Sequence, residues 1–211
     1  MTDNFALYRN FMQLPETEGG DAYYVIELIR RGKDHPDLPA ANYHFKNYYI
    51  DTLQKYDRVQ DEIRTICRTL HLRAYVSVNR KSFRRVSMNT VATLAGRLAQ
   101  DDFRRPYAIF DSCSGMDVSP DDRLFIVDID EDAFREIPKC GPLWLRVQEH
   151  INACSPEGDK VRLIVPTRSG IHIICKPFNR IQFCELCKND PNIGHAFDIQ
   201  KNHLTLLFED L

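Results

Sequence analysis

Asp128 and Asp130 stand two residues apart at the end of an apolar run that starts at Leu124, and further along His172 follows the short stretch Thr167-Arg-Ser-Gly170. Side chains of a strand alternate between its faces, so residues 128 and 130 share one face. Carboxylates held that close repel each other unless they share a proton or a cation. An all-oxygen pair of this kind suits Mg²⁺ or Mn²⁺ better than zinc. The plain alternative is two solvated aspartates where a strand runs out into a turn. The second stretch sharpens the metal reading. Residues 161–165 and 171–174 are β-branched runs flanking Thr167–Gly170, and they read as a hairpin with His172 just inside the returning strand. Alone, His172 reads as a strand histidine satisfied by a backbone carbonyl; the neighbouring carboxylates make it a candidate.

The chain that must position these groups has 211 residues, 43% of them hydrophobic and 27% charged, enough for one domain or two tightly joined halves. Its net charge is −2, so any contact with nucleic acid has to come from local patches rather than a global basic field. The seven cysteines are odd in number and scattered, the first residues show neither a basic nor an apolar leader, and no apolar run is long enough for a membrane span. The expectation is a cytoplasmic protein with reduced thiols and no membrane partner.

In chain order, a polar leader to about Asp21 reads as loosely held. Strands are expected at 23–29 and 47–50 around the basic turn 30–36, followed by a helix over 53–70 capped by Asp51 or Thr52. A strand at 73–78 and a helix over 86–98 come next. The second half offers a strand at 107–110, a loop from 115 to 122, the Asp128 strand, a helix over 143–153, the hairpin, a short helix over 181–188 and a last strand at 204–208. The fold class is α+β: two small α/β units with mixed or antiparallel sheets, residues 1–105 and 106–211, packed as one globular protein.

Phe125-Ile-Val-Asp-Ile-Asp130, then Gly170-Ile-His172 with Ser169 before it, then Phe197-Asp198, resemble in type and order the catalytic motifs of the archaeo-eukaryotic primase superfamily. The β-α-β-β order of the second half is similar to that family's RRM-like unit. The resemblance implies nucleotidyl transfer with Asp128, Asp130 and His172 as catalytic residues, and with Asp128, Asp130 and Asp198 holding Mg²⁺ or Mn²⁺. It further implies that Arg168, Ser169, His172 and Lys176 meet the phosphates of a nucleoside triphosphate, with nucleic acid, DNA ahead of RNA, as the second partner. Ser169 stands one residue further from His172 than in the common pattern, and Asp198 has a rival in Glu209-Asp210. As a whole the chain also resembles small phage and prophage proteins. From a different class, the alternative is a non-catalytic RRM-like module that binds nucleic acid or protein. A two-metal site can also hydrolyse phosphodiesters.

Three further features carry chemistry. Arg80, Lys81, Arg84 and Arg85 bracket Phe83 and read as phosphate contacts around a stacking ring, or as a solvated helix start. Cys184 and Cys187, with His195 and His203 downstream, have the ligand count for zinc, but without a second CxxC they fit one face of a short helix better. The pairs Tyr23-Tyr24 and Tyr48-Tyr49, with Phe45, read as core aromatics of strands.

Overall fold

The computed structural model describes residues 1–35, 42–118, 123–193 and 197–210. The end of the basic turn at Pro36, residues 119–122 of the loop expected from 115 to 122, and His195 lie outside them. The fold is α+β, with antiparallel sheets.

The first sheet has the order β1-β12-β4-β2-β3, formed by β1 (Thr2–Asp3), β2 (Ala22–Arg31), β3 (Asn42–Ile50), β4 (Arg73–Ser77) and β12 (Leu204–Glu209), with β5 (Lys81–Ser82) pairing to β2. Helix α2 (Leu53–Leu70) covers it. The Thr52 hydroxyl accepts the Lys55 N–H at 3.1 Å to start this helix, and His71 ends it in the left-handed conformation at φ 52°. Between those ends Leu53, Tyr56, Ile63 and Cys67 recur at helical spacing and are buried against the sheet.

The leader is not loose. It forms β1 and α1 (Phe5–Phe11), whose Phe5 and Tyr8 have no exposed surface, and the Tyr56 hydroxyl donates to the Phe5 carbonyl at 2.9 Å. A seven-residue helix has little local signal; long-range packing supplies its stability. The strand expected at 107–110 is instead the start of α4 (Ala108–Met116), packed on α3 (Phe83–Leu98). Alternation over four residues was too short a pattern, and the burial of Ile109 and Cys113, four apart, is the helical one.

The second sheet has the order β11-β6-β10-β9, from β6 (Phe125–Ile129), β9 (Val161–Pro166), β10 (Ile171–Cys175) and β11 (Phe197–Lys201). Between β6 and β9 the chain forms a short ribbon of β7 (Glu136–Ile137) and β8 (Gly141–Pro142), then α5 (Leu143–Ala153). Helix α6 (Arg180–Asn189) joins β10 to β11. This is the β-α-β-β-α-β path of the split βαβ unit. Phe125, Val127 and Ile129 point toward α5 and α6, while Ile126, Val165 and Ile174 on the other face share a core with Leu207, Phe208 and Tyr24 of the first sheet. The expected boundary after residue 105 therefore misses the division of the sheets. Helix α4 packs on the first unit, and the last strand, β12, returns between β1 and β4. No helix among the described residues is long and apolar enough to cross a membrane.

Candidate functional site

Asp128 occupies the middle of a cross-strand row. On one side it is paired in register with His172 of β10, and on the other with Asp198 of β11. Directly opposed residues of antiparallel strands bring their Cβ atoms to about 4.5–5.5 Å, so the three side chains share one face. That face is the one turned toward the first sheet. Asp130, two residues on, lies just past the strand end and is exposed.

His172 is held on both ring nitrogens. Nε2 lies 3.2 Å from Asp128 Oδ1, and Nδ1 lies 2.9 Å from the Thr205 hydroxyl, which belongs to β12 and is fully buried. Only 12% of the His172 side chain is exposed, against 26% of Asp128. With the imidazole neutral, Nε2–H donates to the carboxylate and Nδ1 accepts from the Thr205 O–H. Asp198 is exposed and accepts a hydrogen bond from Gln200 Nε2 at 3.1 Å.

Gly170 sets the height of the hairpin over this row. The Thr167 N–H donates to the Gly170 carbonyl at 2.9 Å, closing the turn. A Cβ on Gly170 would run into the Ile129 carbonyl and come within 2.8 Å of the Asp130 carbonyl. The residue must be small because the turn rests on the backbone that carries Asp130. Arg168 and Ser169 are exposed at the turn, and Arg168 Nη1 is 3.5 Å from Asp34.

The remaining sequence candidates are not gathered here. Lys176 shares the face of His172 but lies four residues along, about 13 Å at the usual strand rise. The buried pair Ile126 and Ile174 stands between. Lys176 instead lines a cleft of about 840 Å³ with Arg80, Arg123 and Arg162; none of Asp128, Asp130, His172 or Asp198 lines it. This cleft and the carboxylate row are thus different places.

The basic quartet does not form one face either. Lys81 is buried, its ammonium donating to the Asp117 carbonyl at 2.7 Å and to Asn202 Oδ1 at 3.0 Å, and burial pushes its pKa down to about 8. Arg85 is bound by two 2.9 Å hydrogen bonds to the Asp117 carboxylate. Phe83 stacks on Tyr23 at 4.0 Å, inside the fold. Of the four, Arg84 and Arg85 are exposed, Arg85 held by Asp117, and Arg80 lines the cleft. Cys187 is packed in the core beneath the second sheet, where burial raises its thiol to about 12, while Cys184 is half-buried. Among the described residues no three His, Cys, Asp or Glu side chains are grouped as a metal cage.

Thr205, Arg123 and Arg162 belong to no motif. Thr205 meets His172 from a strand distant in sequence, and Arg123 and Arg162 come together only in the cleft lining, so only the tertiary fold brings them into view.

Comparison with family models, with curated proteins and with solved structures returned no significant match.

Proposed function

We propose that this chain is a metal-dependent, primase-like nucleotidyltransferase acting on a nucleoside triphosphate together with nucleic acid. One observation carries the reading: His172 and Asp198 are paired in register with Asp128 on either side, on one sheet face, with Asp130 next along it. The donor chemistry of Asp128, Asp130 and Asp198 fits Mg²⁺ or Mn²⁺. A closed cage is not required, since Mg²⁺ commonly takes one or two carboxylates and fills its shell with water and substrate phosphate oxygens. When bound, such a metal neutralises charge on the attacking and leaving oxygens. The chain's own residues do the positioning. Thr205 fixes the ring of His172, His172 fixes the Asp128 carboxylate, and the exposed turn residues Arg168 and Ser169 stand next to Asp130 as donors for phosphate.

The test is a calorimetric Mn²⁺ titration of the wild type and of Asp128→Asn/Asp130→Asn, followed by nucleoside triphosphate with and without the metal. The expected result is Mn²⁺ uptake lost in the double variant, and metal-dependent triphosphate binding to the carboxylate row in the wild type. Equal uptake by both proteins would sink the reading. The second reading, a non-catalytic interaction module, is favoured by the fact that both nitrogens of His172 already have partners inside the fold.

A further inference from the structure

At the other end of the interface between the sheets, the cleft of about 840 Å³ is lined by cations from four separate places: Arg80 after β4, Arg123 before β6, Arg162 on β9 and Lys176 after β10. Among the described residues no carboxylate lines it. Among the described residues no ion pair involves Arg123, Arg162 or Lys176, and all three are exposed. The like charges of Arg123, Arg162 and Lys176, exposed at one opening, repel each other, so this arrangement lowers its energy by taking up an anion.

The backbone is shaped to add one of them. Ile174 pairs with Leu163, but Cys175 pairs with Val161, which makes Arg162 the extra residue of a β-bulge. In a regular strand Arg162 and Leu163 would point to opposite faces; here both line the cleft. The floor is apolar, from Leu7, Phe11, Leu124 and Leu163, and Asn10 and Gln13 of the α1 end add amides. A bare phosphate would use the cations and leave the floor wet. A nucleoside triphosphate uses both: its charge of about −4 faces Arg123, Arg162 and Lys176, its base covers the apolar floor, and its size suits a cleft in the ligand-site range of about 300–1,000 Å³.

We propose that this cleft is a second nucleotide site, one that binds a nucleoside triphosphate through Arg123, Arg162 and Lys176 without a divalent metal. The site stands apart from the carboxylate row and does not rest on the function proposed above. Buried Ile126 and Ile174 separate the two, and among the described residues the cleft lining offers a metal no carboxylate.

The experiment is ATP binding to the full chain in EDTA at low salt, by calorimetry, with adenosine, tripolyphosphate and a short oligothymidylate as competitors. ATP is expected to bind in EDTA, more tightly than tripolyphosphate and far more tightly than adenosine. Arg162→Glu and Lys176→Glu should each weaken it by about tenfold or more, the effect of losing a charge-assisted hydrogen bond. Because these side chains are exposed, folding is checked by circular dichroism, and Arg162→Gln and Lys176→Gln should give the same direction with smaller losses. Asp128→Asn should leave ATP binding in EDTA unchanged while removing Mn²⁺ uptake, which keeps the two readings distinguishable. The proposal is overturned by no ATP binding in EDTA, by binding indifferent to all four cleft variants, or by oligothymidylate binding more tightly than ATP, which would make the cleft a strand groove.

Discussion

His172 reaches from one sheet to the other: its Nδ1 lies 2.9 Å from the hydroxyl of Thr205, a fully buried residue of β12. The same ring meets Asp128 through Nε2 at 3.2 Å. An imidazole held at both nitrogens has its plane and tautomer fixed, so the carboxylate row inherits its geometry from the first sheet.

Thr205→Val keeps the volume and removes the hydroxyl, leaving Nδ1 facing an apolar wall. The expected cost is about 1–3 kcal/mol of stability, read from urea unfolding midpoints. His172→Ala should cost a similar amount, because most of the ring is buried. If the hydrogen bond carries the effect, the double variant loses less than the sum of the two single losses. Strict additivity would show that the contact has no energetic weight.

Gly170→Ala tests the support under the hairpin. The new methyl meets the Ile129 and Asp130 carbonyls, which are backbone and cannot swing away. Overpacking of this kind costs about 1–3 kcal/mol, and because the strain falls on the Asp130 end of β6, Mn²⁺ uptake should weaken too. An unchanged unfolding midpoint would mean that the turn is free to lift.

Much of this arrangement was legible in the sequence because it rests on local periodicity. The helices over 53–70 and 143–153 and the hairpin on either side of Thr167–Gly170 appear where the apolar spacing puts them. The pairing of Asp128 with His172 follows from a strand and a hairpin that share a sheet. What was not legible depends on distant partners. Phe5 and Tyr8 are core residues because β12 and α2 close over them, and Arg162 enters the cleft through a bulge that no residue type announces. Lys81 looks like a surface cation until Asp117 and Asn202 are folded around it.

Lys81 makes the alkaline stability curve informative. Burial lowers its pKa from 10.5 to about 8, so between those values the unfolded chain binds the extra proton. Stability therefore rises with pH across that window as the cost of burying the ammonium is relieved, by something on the order of 3 kcal/mol in full. Buried thiols such as Cys67, Cys175 and Cys187, raised to about 12, act in the opposite sense above pH 9. The comparison that isolates the lysine is wild type against Lys81→Met. The wild type should gain on the variant from about pH 8 to 10.5, and a constant gap would place the titration elsewhere.

The last expectation concerns the division of the chain. The second sheet with α5 and α6 is a complete β-α-β-β-α-β path within residues 123–201, so by topology it is a candidate to fold alone. Packing argues otherwise. Ile126, Val165 and Ile174 are buried in the core shared with the first sheet, and Thr205, which holds His172, is on β12. Cutting out residues 123–201 would expose that apolar face to water, and contiguous patches of this kind promote association. The fragment is expected to aggregate, or to give a poorly dispersed amide spectrum. Ile126→Ser and Ile174→Ser should improve its solubility while destabilising the full chain, since the same side chains are exposed in one context and buried in the other. A sharp, well-dispersed spectrum from a monomeric wild-type fragment would show the second sheet to be an independent domain and the shared core dispensable to it.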